Sequence, residues 1–271
     1  SLKKGLMKKF ITLIFISIIF IGCSDLEYSP NQSFDRDSPV NLNFKNLQKL
    51  HQAPTDDTVR FIIFGDTQKS KKELDSFIEE VNQMQGVDMV FLAGDISEFG
   101  LLQESKWIAK ELKNLKVPFF GVIGNHDIIA NGKAVFQRMF GELNYSFDYQ
   151  GIRFIAHDTN GREYKFNGKV PNITWLNQQL KETNNLIGIV GISHIRPQTP
   201  DFDPKLNDDY ISTFNSNPKI LASFHAHEHN FGKYTPIAEG TPFFVTTAIG
   251  ERGFILAEIV NGELSYEKVS F

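Results

Sequence analysis

From Val59 onward, short apolar runs alternate with longer stretches in which apolar residues recur every three or four positions. The runs are VRFIIF (59–64), MVFLA (89–93), PFFGVI (118–123), IRFIA (152–156), LIGIVGI (186–192) and ILASF (220–224). Rich in Val, Ile and Phe, and lacking polar alternation, they predict strands covered on both faces. Between them, Leu74, Phe77, Ile78, Val81 and Met84 share one helical face, as do Trp107, Ile108, Leu112 and Leu115. Ile173, Leu176 and Leu180 repeat the pattern more weakly, so Trp107 and Trp175 both read as core residues. Strand-helix-strand alternation implies an α/β fold, whose ligands gather beyond the carboxyl ends of the strands.

The front of the chain is patterned differently. Lys3, Lys4, Lys8 and Lys9 precede an apolar run from Phe10 to Ile21, broken only by Thr12 and Ser17. That run is too short to span a bilayer, which needs about 20 residues. A basic stretch followed by a short apolar one predicts an export signal over 1–22. Phe20-Ile21-Gly22-Cys23 resembles a bacterial lipobox, with Phe20 where Leu is usual. The resemblance implies acylation of Cys23, the single cysteine of the chain, and a place in the bacterial cell envelope, periplasmic or surface-exposed. Contact with the membrane is expected through that lipid alone. Residues 23–57 carry Pro30, Pro39 and Pro54 without clear periodicity and predict a lipidated N-terminus and tether. The globular domain is expected over 58–271.

Composition narrows the function. With 271 residues, 41% of them hydrophobic, the chain can bury one large core. Removing 1–22 takes away four lysines and no acid, moving the formal net charge from −4 to −8. Phosphate backbones demand clustered Lys and Arg, so no nucleic-acid binding is expected.

The candidate chemistry sits at the strand ends. The successive runs finish in Gly65-Asp66-Thr67-Gln68, Gly94-Asp95, Gly124-Asn125-His126-Asp127, His157-Asp158, Ser193-His194 and His225-Ala226-His227. One histidine after a strand is unremarkable, but a series built of Asp, Asn, Gln and His points to a single site. In order and spacing it resembles the calcineurin-like metallophosphoesterase family across roughly 59–260. YSFDYQGIRFIAHDT (145–159) and TWLNQQL (174–180) resemble family segments as well.

The resemblance implies a four-layer α/β/β/α sandwich of two mixed β-sheets and a pair of metal ions that hydrolyse a phosphorylated small molecule or phosphodiester. It assigns Asp95 as the carboxylate between the ions. Asp66, Gln68 and His227 would complete the first ion, and Asn125, His194 and His225 the second. Imidazole and hard oxygen donors suit Mn, Fe, Zn or Ni. His126 would protonate the leaving oxygen, with Asp127 orienting its ring. Two departures stand out: Gln68 replaces a customary His, and Phe224 precedes His225 where Gly is usual. They motivate the alternative of a non-catalytic binding or scaffolding envelope lipoprotein with a degenerate metal site. Asp158 is read as organising its own loop, His229 as a loop residue, and Arg162, Lys165 and Lys169 as a solvated charged loop. Segment 195–224 is expected to form part of the rim, its acids disfavouring highly anionic substrates.

Overall fold

The computed structural model describes Ser29 and residues 31–271, so the expected export signal and Cys23 lie outside the described residues. The helices are α1 (Leu42–Leu50), α2 (Lys71–Gln83), α3 (Leu102–Leu112), α4 (Gly132–Met139), α5 (Ile173–Gln179) and α6 (Asn207–Thr213). The strands are β1 (Thr58–Phe64), β2 (Met89–Ala93), β3 (Phe119–Val122), β4 (Tyr145–Tyr149), β5 (Ile152–Ala156) and β6 (Gly188–Ile192). They continue with β7 (Ile220–His225), β8 (Gly232–Tyr234), β9 (Phe243–Val245), β10 (Gly253–Val260) and β11 (Glu263–Ser270). One sheet runs β11-β10-β1-β2-β3 and the other β4-β5-β6-β7-β9-β8. Both are mixed: β1, β2 and β3 are parallel while β10 pairs antiparallel with β1, and β4 and β8 are antiparallel edges on the second sheet.

Three apolar layers make the expected four-layer sandwich. Leu74, Phe77, Ile78 and Val81 of α2 pack with α3 and α4 on the outer face of the five-stranded sheet. Phe61, Phe91, Phe154 and Phe224 fill the space between the sheets. Leu176 of α5 and Tyr210 and Ile211 of α6 cover the outer face of the six-stranded sheet. Each large apolar side chain so buried contributes about 1.5–3 kcal/mol. Strands covered on both faces need no polar alternation, which is why β1, β2 and β6 read as continuous runs.

Two expectations are corrected here. The stretch read as a tether is part of the fold from residue 31. Lys106 pairs with Asp35 at 2.5 Å, and the guanidinium of Arg138 lies over the Phe34 ring. Leu42 and Leu50 of α1 are buried. Asn43 donates to the Gly121 carbonyl at 3.0 Å and accepts from its N–H at 2.8 Å, closing the free edge of β3. Trp107 is 57% exposed, because the buried face of α3 runs through Leu102, Ser105, Ile108 and Leu112 and leaves position 107 turned outward. Trp175 does pack against the outer core. Among the described residues, no helix is long and apolar enough to cross a membrane.

Candidate metal centre

The polar strand ends of both sheets meet at one place. Asp66 follows β1, Asp95 follows β2 and Asn125 follows β3, while His194 follows β6 and His227 follows β7. Asp66, Asp95 and His227 all have left-handed backbone (φ 55, 54 and 72°), a conformation non-glycine residues hold only when their surroundings impose it. Gly94 has no freedom to be anything larger: its φ is +94°, and a Cβ there would stand 2.4 Å from Nδ1 of His194.

Asp95, His194 and His227 each offer a ligand atom within 4.8 Å of the others. Nδ1 of His194 lies 2.8 Å from the Ala93 carbonyl, which can only accept, so that nitrogen carries the proton. Its other nitrogen, Nε2, sits 3.0 Å from Oδ1 of Asn125, 3.3 Å from Oδ1 of Asp95 and 3.2 Å from Nδ1 of His227. Nε2 of His227 donates in turn to Oδ2 of Asp201 at 2.8 Å. In the neutral rings two nitrogen lone pairs therefore face each other at 3.2 Å, which is unfavourable unless a proton or a cation lies between them. The ionisation of the group reflects this. Burial opposes charge on both Asp95 and His194, but each stabilises the other, lowering the Asp95 carboxyl and raising His194 to about 10.

A second set of donors lies beside the first. Oδ2 of Asp95 faces Nε2 of Gln68 at 3.3 Å, whereas Oδ1 faces His194. Among the described residues, Oε1 of Gln68 is buried without a hydrogen-bond partner and Oδ1 of Asp66 is buried without a well-aligned donor. Nε2 of His229 stands 3.3 Å from Oδ1 of Asp66, and that contact raises the His229 pKa. Orphaned buried acceptors are costly in a folded protein, and a metal ion would satisfy them. The donor set fits one.

Three sequence expectations change. His225, expected as a ligand, is still within β7; its Nδ1 meets Ser193 Oγ at 2.9 Å and its ring packs against Phe243. Burial and neighbouring cations hold it well below the ordinary imidazole range. Strand alternation explains the miss: Phe224 and Ala226 point between the sheets, which turns His225 to the outer layer. The pair that reaches the site is His227 and His229, preceded by the small Ala226, and Phe224 is a core residue stacked on Phe244.

Asp127 does not orient His126. Its carboxylate accepts from the N–H groups of Gly124, Ile96 and Ser97 and from Ser97 Oγ, tying the β2 and β3 loops together. Burial, then the charge of Asp95, raises its pKa to about 6. The His126 ring is held instead by the Glu98 carbonyl, 2.8 Å from Nδ1, and its backbone N–H donates to Oδ1 of Asp95 at 3.0 Å.

Asp201 is a residue that reading the sequence missed. The sequence places it among the acids of the expected rim, yet it holds His227 and pairs with Arg162. The rest of segment 195–224 includes α6, packed into the outer core rather than forming a rim. Asp158 accepts from Asn160 and Tyr164 and organises its loop as expected.

A family model described as calcineurin-like phosphoesterase matches residues 59–234. A probable glycerophosphodiester phosphodiesterase of Arcobacter nitrofigilis is 32% identical over 101 residues, 35% of this chain and 37% of that protein. A probable cyclic nucleotide phosphodiesterase of Xenorhabdus bovienii is 21% identical over 129 residues, 45% of this chain and 50% of its own length. The chain thus matches half or less of these curated relatives. A dimetal phosphatase from Danio rerio superposes with a TM-score of 0.61 at 13% identity, covering 77% of this chain and 98% of that one. Purple acid phosphatase from yellow lupin seeds does so with a TM-score of 0.62 at 15% identity, covering 80% and 53%. At such identities these two structures show a shared fold.

Proposed function

Because this chain belongs to the calcineurin-like phosphoesterase family, and is by that membership a phosphoester hydrolase, we propose that it acts through two metal ions held where its two sheets meet. The observation that carries the reading is Asp95, whose two carboxylate oxygens face different donor sets. On one side Asp66, Gln68 and His229 would hold the first ion. On the other, Asn125, His194 and His227 would hold the second. This replaces His225 with His227 at the second ion and brings His229 to the first.

Bound there, the ions would neutralise the phosphate oxygens and acidify the attacking water. The protein's own groups do the rest. Asp95 offsets the mutual repulsion of two cations. Ala93 and Asp201 fix the ring tautomers of His194 and His227, so that each presents a lone pair inward. Glu98 holds Nδ1 of His126, leaving Nε2, in the protonated ring, to give its proton to the leaving oxygen. Nitrogen and carboxylate donors together suit Mn, Fe, Zn or Ni. The two relatives named as phosphodiesterases favour a diester substrate. Phe224 is no longer a departure at the site, which leaves Gln68 as the remaining ground for a degenerate centre.

Metal analysis and turnover test the reading together. The native protein should hold two ions and hydrolyse nitrophenyl phosphate esters. His126→Ala should keep its ions, lose little on those esters and lose about 10²–10⁴-fold on alkyl esters, whose alkoxide needs the proton. A protein without bound metal or turnover overturns the function; equal losses on both ester types overturn the role of His126. We further propose anchorage through lipid on Cys23. Cys23→Ala should then leave the membrane fraction and take up no labelled fatty acid, and retention of both would refute the anchor.

A further inference from the structure

The loops that carry the metal-site residues also border a second space. A cleft of about 630 Å³ lies between the loops after β1 and β2 and the flank of α3. Its volume falls in the range of small-molecule sites, about 300–1,000 Å³. Phe99 and Trp107 line it together with Ile108, and their rings are 53% and 57% exposed. Such large apolar groups left in water beside a site need a reason.

Most charged groups on its walls are already engaged. Lys69 pairs with Glu98 at 2.5 Å, and Lys71 pairs with Asp75 and Glu111. The Glu104 carboxylate accepts from the N–H groups of Phe99 and Leu101, fixing the backbone that presents the Phe99 ring. Lys110 makes no salt bridge among the described residues, and with it the walls carry three lysines balanced by Glu98, Glu104 and Glu111. The walls therefore favour an uncharged, flat, apolar group over an anionic one.

The cleft is continuous with the metal centre at two residues. Gln68 lines it and reaches Asp95, and Glu98 lines it while its carbonyl holds His126. Gln68, a candidate ligand of the first ion, stands on the wall of the cleft, so a substituent carried by a phosphoester bound at the ions can enter it. We infer that the cleft receives a flat aromatic group carried by the leaving alcohol of the phosphoester, stacked against Trp107 and Phe99. The inference rests on the phosphoesterase reading above and adds a substrate class to it.

The test compares esters with the same leaving-group chemistry. 2-Phenylethyl phosphate and ethyl phosphate, each also as its methyl diester, differ in the ring alone. The native protein should prefer the ring by about tenfold in kcat/KM, expressed in KM, and Trp107→Ala or Phe99→Ala should bring that ratio toward one. A second pair, a nucleoside 5′-monophosphate against ribose 5-phosphate, shows whether a base or a simple aryl ring is the better occupant. No ring preference, or a preference that survives both substitutions, overturns the inference. If no ester is turned over, the phosphoesterase reading fails on its own and binding decides the cleft. The chain has two tryptophans, so in a Trp175→Phe background Trp107 reports alone. Saturable quenching by 2-phenylethylphosphonate, weakened at least fivefold by Phe99→Ala, supports the cleft, and absence of quenching overturns it.

Discussion

His225 and His229 are four residues apart and do different work. The first is enclosed by Ser193 and Phe243; the second reaches Asp66 across the sheet junction. Replacing them should separate stability from metal binding. His225→Ala should cost about 1–3 kcal/mol, because it leaves a cavity and removes one hydrogen bond of the Ser193 hydroxyl, while both ions remain. His229→Ala should change the stability of the metal-free protein little, since its side chain is 54% exposed, yet release the first ion from the loaded one. Metal analysis beside urea unfolding reads both effects. Loss of metal from His225→Ala would make His225 and His227 the ligand pair.

Helix α1 shows how an element far from the chemistry supports it. Through Asn43 it completes the hydrogen bonding of Gly121 in β3, and β3 runs into the turn that carries Asn125 and His126. A chain beginning at residue 58 loses this edge cover and the burial of Leu42 and Leu50, which together amount to several kcal/mol. Against the total of about 5–15 kcal/mol usual for a domain, that is a large share. Such a chain should be poorly soluble or melt far below one beginning at residue 31. Equal melting temperatures and yields for the two would show that α1 is dispensable.

At the scale of the whole molecule, the candidate ligands come from both sheets. Asp66, Asp95 and Asn125 follow strands of one, and His194, His227 and His229 follow strands of the other. Ions held there would bind the folded state and tie the two sheets together. At a hundredfold excess over Kd a single ion stabilises by about 2.7 kcal/mol, and each kcal/mol moves Tm by about 2–4 °C at this size. Two ions at that excess would amount to about 5.4 kcal/mol, so chelation should lower Tm by about 10–20 °C, reversed on adding metal back. A Tm unaffected by chelator in a protein stripped of metal would argue against a centre spanning the sheets.

The sequence by itself determined the fold class and the strand ends where the candidate site lies. β1, β2, β5, β6 and β7 announce themselves because strands buried on both faces are written as unbroken apolar runs, and α2 because its buried stripe keeps the helical period. The short β8 and β9, the α1 helix, whose buried face is half asparagine while Phe44 is exposed, and the largely exposed β11 carry no such signal. What the tertiary structure alone decided was facing and partnership. Spacing allowed His225-x-His227 and His227-x-His229 equally, and the last turn of β7 selected the second by spending His225 on the outer layer. Adjacency suggested that Asp127 serves His126, but Asp127 is consumed by four donors in neighbouring loops. The partner of His227 came instead from Asp201, which lies 26 residues earlier and which no period of the chain connects to it. Periodicity encodes which face is buried; which polar groups meet depends on how separate strands end side by side.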